Sequence, residues 1–237
     1  MADGVRDVEL LTVAMPVLNE RATLRAAVER LLKTDLQVPV ELIVVDDGST
    51  DGCADTIVDL VDGRTVRLLR HPTDRGKGAA IRTALGAANG DVTTILDADL
   101  EYDPANLRAL LEPLIAREAD VVYGTRSFGA HTAYSFWYVV GNKVLGLWAS
   151  FLFDTWLSDV ETCFKMARTS LWRELRLRSS GFGIEAEATG RFLGSGHRVY
   201  EVPIEYRART REEGKKLRWS DGVEALWILL RVRVLGR

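Results

Sequence analysis

The chain has 237 residues, of which 47% are hydrophobic and 27% are charged, a balance typical of a globular protein. Its 31 Lys and Arg residues are fewer than its 34 Asp and Glu residues, and the formal charge of -3 argues against a nucleic-acid binder. Two cysteines make neither a disulfide framework nor a zinc motif, and no apolar run reaches the roughly 18 residues that a spanning helix needs. Because the N-terminal stretch is also acidic and lacks the apolar core of a signal peptide, we expect a cytoplasmic protein.

Short β-branched runs alternate with amphipathic stretches over the first 125 residues. Strands are predicted at Leu10–Met15, Val40–Val45, Val66–Leu69, Val92–Leu96 and Val121–Tyr123. Helices are predicted at Glu20–Lys33, Cys53–Leu60, Lys77–Ala88 and Pro104–Ala116. The strands are nearly continuous apolar runs, which predicts an α/β fold with a mostly parallel central sheet and helices on both faces. Ligands bind at the carboxyl ends of the strands in such sheets, so the loops after the strands should carry the chemistry.

The second half of the chain is richer in aromatic and basic residues. It begins with the aromatic, mostly apolar stretch Tyr134–Leu152 and contains a basic loop at Arg207–Lys216. Further elements are predicted as a strand at Thr162–Ala167, a helix at Glu185–Leu193, a strand at Val199–Ile204 and a final helix at Asp221–Leu235. No internal repeat or linker divides the chain, so we expect a single domain over residues 1–237.

The strongest local motif is Leu96-Asp97-Ala98-Asp99, which directly follows a predicted strand. Two carboxylates at positions i and i+2 of an extended segment point the same way, and they can share a divalent cation with phosphate oxygens. Glu101 lies two residues further on and could add a third oxygen. The alternative interpretation is an acidic turn that only faces solvent.

Two other strand-end loops contain polar residues. In Val45-Asp46-Asp47-Gly48-Ser49, a carboxylate can accept a base N–H or a ribose hydroxyl. The same turn allows Ser49 or Thr50 to cap the next helix, and we expect both roles together. In the segment from Pro16 to Glu20, the alternative is that Asn19 caps the following helix.

Several enzyme classes lack their motifs here. Asp74-Arg75-Gly76-Lys77-Gly78 does not have the spacing of a P-loop, which argues against a P-loop NTPase. No GxGxxG follows the first strand, which argues against a dinucleotide-binding dehydrogenase. The three histidines, His71, His131 and His197, are scattered, which favours structural or exposed roles, and no hydrolase triad is visible.

Taken together, the segments PVLNE, VDDGST, DRGKGAAIRTAL and LDADLEYDP resemble glycosyltransferase family 2, which has the GT-A fold. Within this family the chain is similar to the polyprenyl-phosphate sugar transferases, such as dolichyl-phosphate mannose synthases, through YGTRSFG, SDVETCFK, YEVPIEYRART and EEGKKL. The resemblance implies a nucleotide-sugar-binding half at residues 1–125 and an acceptor-binding half at residues 126–237.

The resemblance also implies roles for individual residues. The donor nucleotide sugar would be bound by Pro16, Leu18, Glu20, Val45, Asp47, Asp97, Ala98, Arg209 and Lys215. Mg2+ or Mn2+ would be held by Asp97, Asp99 and Glu101, and the catalytic residues would be Asp99, Arg126 and Asp159.

The implied reaction moves a sugar from a nucleotide-diphospho donor of the GDP-mannose or UDP-glucose type to a polyprenyl phosphate. Because a phosphate acceptor is already anionic, a single displacement with inversion needs no strong base. The alternative is a soluble family 2 glycosyltransferase that acts on a hydroxyl of a small molecule or protein, for which Asp159, Glu161, Glu185 and Glu187 are candidate bases. A nucleotidyltransferase is a further alternative of a different class, but it would usually have a Gly-rich loop before Asn19.

Aromatic residues such as Trp137 and Trp148 suit a helix that lies against lipid, and the final helix carries apolar residues on one face and arginines at its end. The alternative is that both segments pack on the sheet. We therefore expect peripheral contact with the inner face of the membrane, and the sequence sets no expectation for the oligomeric state.

Overall fold

The computed structural model describes residues 8–127, 129, 136–209 and 219–236. In these residues, the strands are β1 (Leu11–Val17), β2 (Val40–Asp46), β3 (Val66–Arg70), β4 (Val92–Ile95), β5 (Val121–Thr125), β6 (Lys165–Arg168) and β7 (Val199–Pro203). They form one sheet in the order β3-β2-β1-β4-β6-β5-β7. All neighbours are parallel except β6, which is antiparallel to both β4 and β5. The predicted mostly parallel α/β sheet is therefore confirmed.

The helices are α1 (Leu24–Lys33), α2 (Lys77–Ala87), α3 (Asn106–Ile115), α4 (Phe136–Phe153), α5 (Thr169–Glu174), α6 (Ile184–Gly194) and α7 (Trp219–Leu235). The segment Cys53–Leu60 is a 3-10 helix. The central strands are buried along almost their whole length, because helices cover them. Helices α4, α6 and α7 pack against one another. No helix in the described ranges is both long enough and apolar enough to cross a membrane.

The antiparallel strand β6 joins the two halves of the chain. It pairs with β4 through Val92 and Arg168, and with β5 through Tyr123 and Lys165. Because β6 runs against its neighbours, it begins at the edge where β4 and β5 end. The segment that precedes β6 therefore lies beside the loops in which the sequence predicts the chemistry.

Two local predictions and one alternative interpretation are wrong. Helix α1 begins at Leu24 rather than Glu20, and Asn19 does not cap it, because the Asn19 side chain accepts the backbone N–H of Thr50 instead. Neither Ser49 nor Thr50 caps the next helical segment, since Asp51 Oδ1 accepts the N–H of Cys53 at 2.9 Å. The short helix α5 was not predicted.

Candidate functional site

The loops that follow β1 and β2 are joined by reciprocal hydrogen bonds. Ser49 Oγ accepts the backbone N–H of Asn19, and Asn19 Oδ1 accepts the backbone N–H of Thr50, both at 2.9 Å. Pro16 and Val45, two of the predicted nucleoside-binding residues, are direct partners in the parallel pairing of the strands. The structure thus brings together the strand ends that the sequence predicts to meet.

Asp47 lies at the centre of this edge and is almost fully buried. Its Oδ1 is 2.5 Å from Nδ1 of His71 and accepts the backbone N–H of Arg75 at 3.0 Å. Its Oδ2 is buried without a hydrogen-bond partner in the described part of the chain. An unpaired buried acceptor is costly, so this oxygen is suited to a donor group of a ligand.

The acidic loop after β4 is held by Lys77, at the first position of α2. Its Nζ lies 2.8 Å from Asp97 Oδ2 and 2.7 Å from Glu185 Oε1. Burial alone would lower the pKa of Lys77, but Asp97 and Glu185 raise it well above its ordinary value. Lys77 is thus a fixed positive charge that holds Asp97, while Ala98 is buried in the core.

Asp99 carries the least compensated charge in this loop. Burial, followed by the charges of Asp97 and Glu101, raises the pKa of Asp99 to about 7. Its Oδ1 accepts the backbone N–H of Glu101 at 3.0 Å. A cluster of carboxylates in which one has a raised pKa is typical of functional sites.

Glu101 and Glu20 connect the acidic loop to the segment that follows β7. The Glu101 carboxylate accepts the hydroxyl of Tyr206 and the backbone N–H of Arg209. The Arg209 side chain donates to the backbone oxygen of Asp99 at 2.7 Å and to Glu20 Oε2 at 3.1 Å. Arg209 therefore lies at the predicted donor site, whereas Lys215 lies outside the described residues.

Arg126 follows β5 and is held by the buried Asp159. Its Nε and Nη2 each lie 2.7 Å from a carboxylate oxygen of Asp159, and its guanidinium stacks over the ring of Tyr206. Asn142 of α4 donates to the same carboxylate at 3.1 Å. Burial would raise the pKa of Asp159, but Arg126 lowers it below its ordinary value, so Asp159 remains an anion that orients Arg126.

A second buried ionic group lies beneath the acidic loop. Glu161 and Glu185 each have one buried carboxylate oxygen without a hydrogen-bond partner among the described residues. Burial and the charge of Glu185 raise the pKa of Glu161 to about 7, while burial lowers the pKa of the neighbouring Lys165 to about 8. Glu187 is bonded to backbone N–H groups and to Arg191 instead.

A divalent cation fits the acidic loop only with oxygens from a ligand. Within the described ranges, no three His, Cys, Asp or Glu side chains form a group that could hold a metal ion by itself. Asp97 and Asp99 offer the hard oxygen donors that Mg2+ and Mn2+ prefer, and the raised pKa of Asp99 indicates an excess of negative charge that a cation would relieve. Glu101 is turned towards Tyr206 and Arg209.

Sequence reasoning missed three residues of this site, namely His71, Lys77 and Asn142. His71 was expected to be structural or exposed, but it is buried against Asp47. The signal that could have found it is its position directly after β3, at the same edge of the sheet as Asp47. Asn142 carried no such signal, since only the packing of α4 brings it to Asp159.

The family model of "Glycosyl transferase family 2" matches residues 12–175 of the chain. The chain belongs to this family. The family 2 chain is 29% identical over 245 residues to a polyprenol monophosphomannose synthase of Mycolicibacterium smegmatis, covering 98% of this chain and 90% of that protein. It is also 29% identical over 249 residues to an undecaprenyl-phosphate mannosyltransferase of Micrococcus luteus, covering 95% and 98%. It spans only 25% and 38% of the length of two other curated relatives.

Among solved structures, the family 2 chain resembles Mycobacterium tuberculosis glucosyl-3-phosphoglycerate synthase in complex with Mn2+, UDP and phosphoglyceric acid, with a TM-score of 0.71. The two share 19% identity over 96% of this chain and 79% of that one, a likeness that confirms the GT-A fold. Because the family model covers residues 12–175, the family 2 chain is a glycosyltransferase, and the nucleotidyltransferase alternative is wrong.

Proposed function

We propose that this glycosyltransferase moves a sugar from a nucleotide-diphospho donor to a polyprenyl phosphate, with inversion at the anomeric carbon. The two relatives of similar length support a polyprenyl-phosphate acceptor, since their names give mannosyl transfer to polyprenol or undecaprenyl phosphate. The division into a donor half at residues 1–125 and an acceptor half at residues 126–237 belongs to the same proposal.

In this proposal the donor lies along the carboxyl ends of β1, β2 and β4. Asp47 meets the base through its unpaired Oδ2, beside Pro16, Leu18 and Val45. Asp97 and Asp99 face the diphosphate, and Arg209 lies close enough to donate to it. A bound Mg2+ or Mn2+ would neutralise charge on the leaving diphosphate, with Asp97 and Asp99 as its ligands and Glu101 beside them.

The acceptor phosphate would lie against Arg126. Two of its nitrogens are bonded to Asp159, so Nη1 is the one that remains for a phosphate oxygen. A phosphate oxygen attacks the anomeric carbon, and the bond from that carbon to the diphosphate breaks. No proton has to be removed, so Asp159 acts by orienting Arg126 rather than as a base.

The observation that carries the lipid acceptor is an exposed aromatic face beside Arg126. It consists of the exposed apolar side chains of α4, α7 and the loop after α4, which are Phe136, Trp137, Val144, Leu147, Phe151, Trp156, Trp219, Val223, Trp227 and Val234. Trp148 of α4 donates to the backbone of Leu226 in α7, so the two helices form one surface. Asn142 of the same α4 is bonded to Asp159, which links this face to the phosphate site.

Exposed apolar side chains that cluster on a protein surface mark interaction sites, and tryptophans are typical of membrane interfaces. Lys143, Arg231 and Arg233 are exposed on the same helices and would interact with anionic head groups. We therefore propose that the aromatic face rests on the membrane and receives the lipid there.

Flotation with anionic liposomes tests the membrane contact. Replacing Trp137 and Trp227 with serine should abolish binding, because both side chains are exposed on the aromatic face. Tyr200→Ser is the matched control, since Tyr200 is exposed on β7 and should leave binding unchanged. Wild-type protein that stays with the unbound fraction would contradict the proposed contact.

The acceptor is tested with a panel of nucleotide sugars and Mn2+, with and without a short-chain polyprenyl phosphate. Product should form only when the lipid phosphate is present, with inverted configuration, and Asp99→Ala should lose turnover. Product formed only with a hydroxyl acceptor would refute the lipid assignment, and a retained configuration would refute the single displacement.

One observation favours a hydroxyl acceptor as the second candidate. Glu161 and Glu185 have unpaired buried oxygens near the acidic loop, and a carboxylate with a raised pKa such as Glu161 can act as a base. In that case Glu161→Gln would abolish turnover, whereas with a phosphate acceptor it would retain most of it.

A further inference from the structure

The carboxylate of Asp47 is held through one of its two oxygens. Oδ1 lies 2.5 Å from Nδ1 of His71 and accepts the backbone N–H of Arg75 at 3.0 Å. Oδ2 is buried and has no hydrogen-bond partner among the described residues. Because each carboxylate oxygen accepts about two hydrogen bonds, Oδ1 is filled and Oδ2 is the acceptor that remains.

His71 is itself fixed on two further sides. Its Nε2 lies 2.9 Å from Oγ1 of Thr83, and its backbone N–H donates to the oxygen of Asp46 at 2.8 Å. An ionised carboxylate only accepts hydrogen bonds, so Nδ1 of His71 carries the hydrogen that it shares with Asp47. The imidazole therefore holds Asp47 in one orientation.

The loops around this pair leave Asp47 little freedom. Gly48 has a φ of +75°, and a Cβ at this position would lie 2.4 Å from the carbonyl carbon of Thr73. The backbone after β2 is thus in direct contact with the backbone after β3. This contact fixes the distance between Asp47 and His71.

We propose that His71 is a positioning residue that turns Asp47 into a single-acceptor site, and that this site selects a uracil base over a guanine base. The proposal rests on the proposed function, because it takes Asp47 to meet the base of the donor nucleotide. It narrows the donor to a uridine-diphospho sugar.

The selection follows from the donor groups of the two bases. Uracil in a nucleoside has one ring N–H between two carbonyl groups, and this single donor matches Oδ2 of Asp47. Guanine presents a ring N–H and an exocyclic amino group side by side, which match the two oxygens of one free carboxylate. Because His71 and Arg75 fill Oδ1, the two donors of guanine have to share Oδ2. Sharing one oxygen weakens the alignment of both hydrogen bonds, and we expect the affinity for guanine to be lower by about ten-fold.

Calorimetric titration of the full chain with UDP and with GDP, both with Mn2+, tests the proposal. Wild-type protein should bind UDP at least about ten-fold more tightly than GDP. His71→Leu frees one acceptor position on Oδ1, so the ratio of the two affinities should fall towards one. His71→Asn places an amide donor near the position of Nδ1 and should retain most of the ratio. His197→Ala is the matched control, because His197 packs on Phe192 and should leave the ratio unchanged.

A merely structural role for His71 would weaken both ligands equally and leave the ratio as it is, which would overturn the proposal. If His71→Leu does not fold, Thr83→Val carries the test. It removes the partner of Nε2 and should lower the ratio by a smaller factor, and an unchanged ratio would count against the proposal. Tighter binding of GDP, with sugar transfer from a GDP donor, overturns the uracil selection but leaves the proposed transfer intact. Failure to bind either diphosphate overturns both.

Discussion

Lys77 is the cation that holds the acidic loop after β4 to the second half of the chain. Its side chain is 15% exposed and lies between Asp97 and Glu185, which are 22% and 4% exposed. The ring of Phe182 covers its Nζ at 5.7 Å. Lys77→Met keeps most of the side chain's length but removes its charge and hydrogen bonds, so it leaves two carboxylates without their common partner.

The cost of this change follows from the burial of the three groups. Removing one partner of a buried ion pair destabilises a protein by about 3–5 kcal/mol. Since Asp97 is partly accessible to solvent, we expect a value near the lower limit, about 3 kcal/mol, for Lys77→Met. Adding Glu185→Gln to the Lys77→Met variant removes one of the two unpaired negative charges and should recover about 1–2 kcal/mol of the free energy of unfolding. The effects of the two substitutions are not additive because the residues are in contact.

Urea denaturation at constant pH measures these free energies of unfolding. Lys33→Met is the matched control, since Lys33 is 78% exposed and lies 3.5 Å from Glu29. Such exposed pairs are worth less than about 0.5 kcal/mol. If Lys77→Met were no more destabilising than Lys33→Met, or if Glu185→Gln made the Lys77→Met protein less stable, the assignment of Lys77 as the shared partner would be wrong.

Gly76→Ala should destabilise by about 3–5 kcal/mol, because its φ is +90° and its Cβ would lie 2.3 Å from the oxygen of Ser180. Gly63→Ala, with a φ of +76° and no atom within 4 Å, should cost about 1 kcal/mol, and comparable thermal shifts for the two would refute the steric argument. Burial raises the pKa of Glu161 from 4.5 to about 7, so between these values the folded state holds a proton that the unfolded state has lost. The free energy of unfolding should therefore fall by about 2–3 kcal/mol as the pH rises through this range. In Glu161→Gln, the urea midpoint should no longer show this fall with pH. Asp99→Asn should lower kcat by about 10²–10³ without lowering the unfolding midpoint, and a chelator should stop wild-type turnover until Mn2+ is added.

The meeting of the loops after β1 and β2 could be predicted because it depends on one rule of parallel sheets. Pro16, Val45 and Asp47 end neighbouring strands, and the carboxyl ends of parallel strands share an edge. Periodicity and loop composition are local signals, and here they were sufficient. The predicted start of α1 was too early because local signals do not report distant contacts. The bond between Asn19 and Thr50 joins two loops 31 residues apart.

The surroundings of Lys77 and Asp159 depend on contacts that no local pattern reports. The pairing of Lys77 with Glu185 joins α2 to α6, and the bond from Asn142 to Asp159 joins α4 to the segment before β6. Arg126 was predicted to be a catalytic residue, but its ion pair with Asp159 could not be predicted from the sequence. The antiparallel insertion of β6 creates these neighbours.

The distribution of ion pairs at this edge indicates where positive charge is still required. Lys77 balances Asp97, Arg209 balances Glu20, and Arg126 balances Asp159. Among the described residues, no Lys, Arg or His side chain forms an ion pair with Asp99, and Arg209 gives its Nε to the backbone oxygen of Asp99 rather than to the carboxylate. A diphosphate that approached this loop alone would add negative charge where burial and two neighbouring carboxylates already raise the pKa of Asp99. We therefore expect the donor to bind well only when a divalent cation enters with it at Asp99.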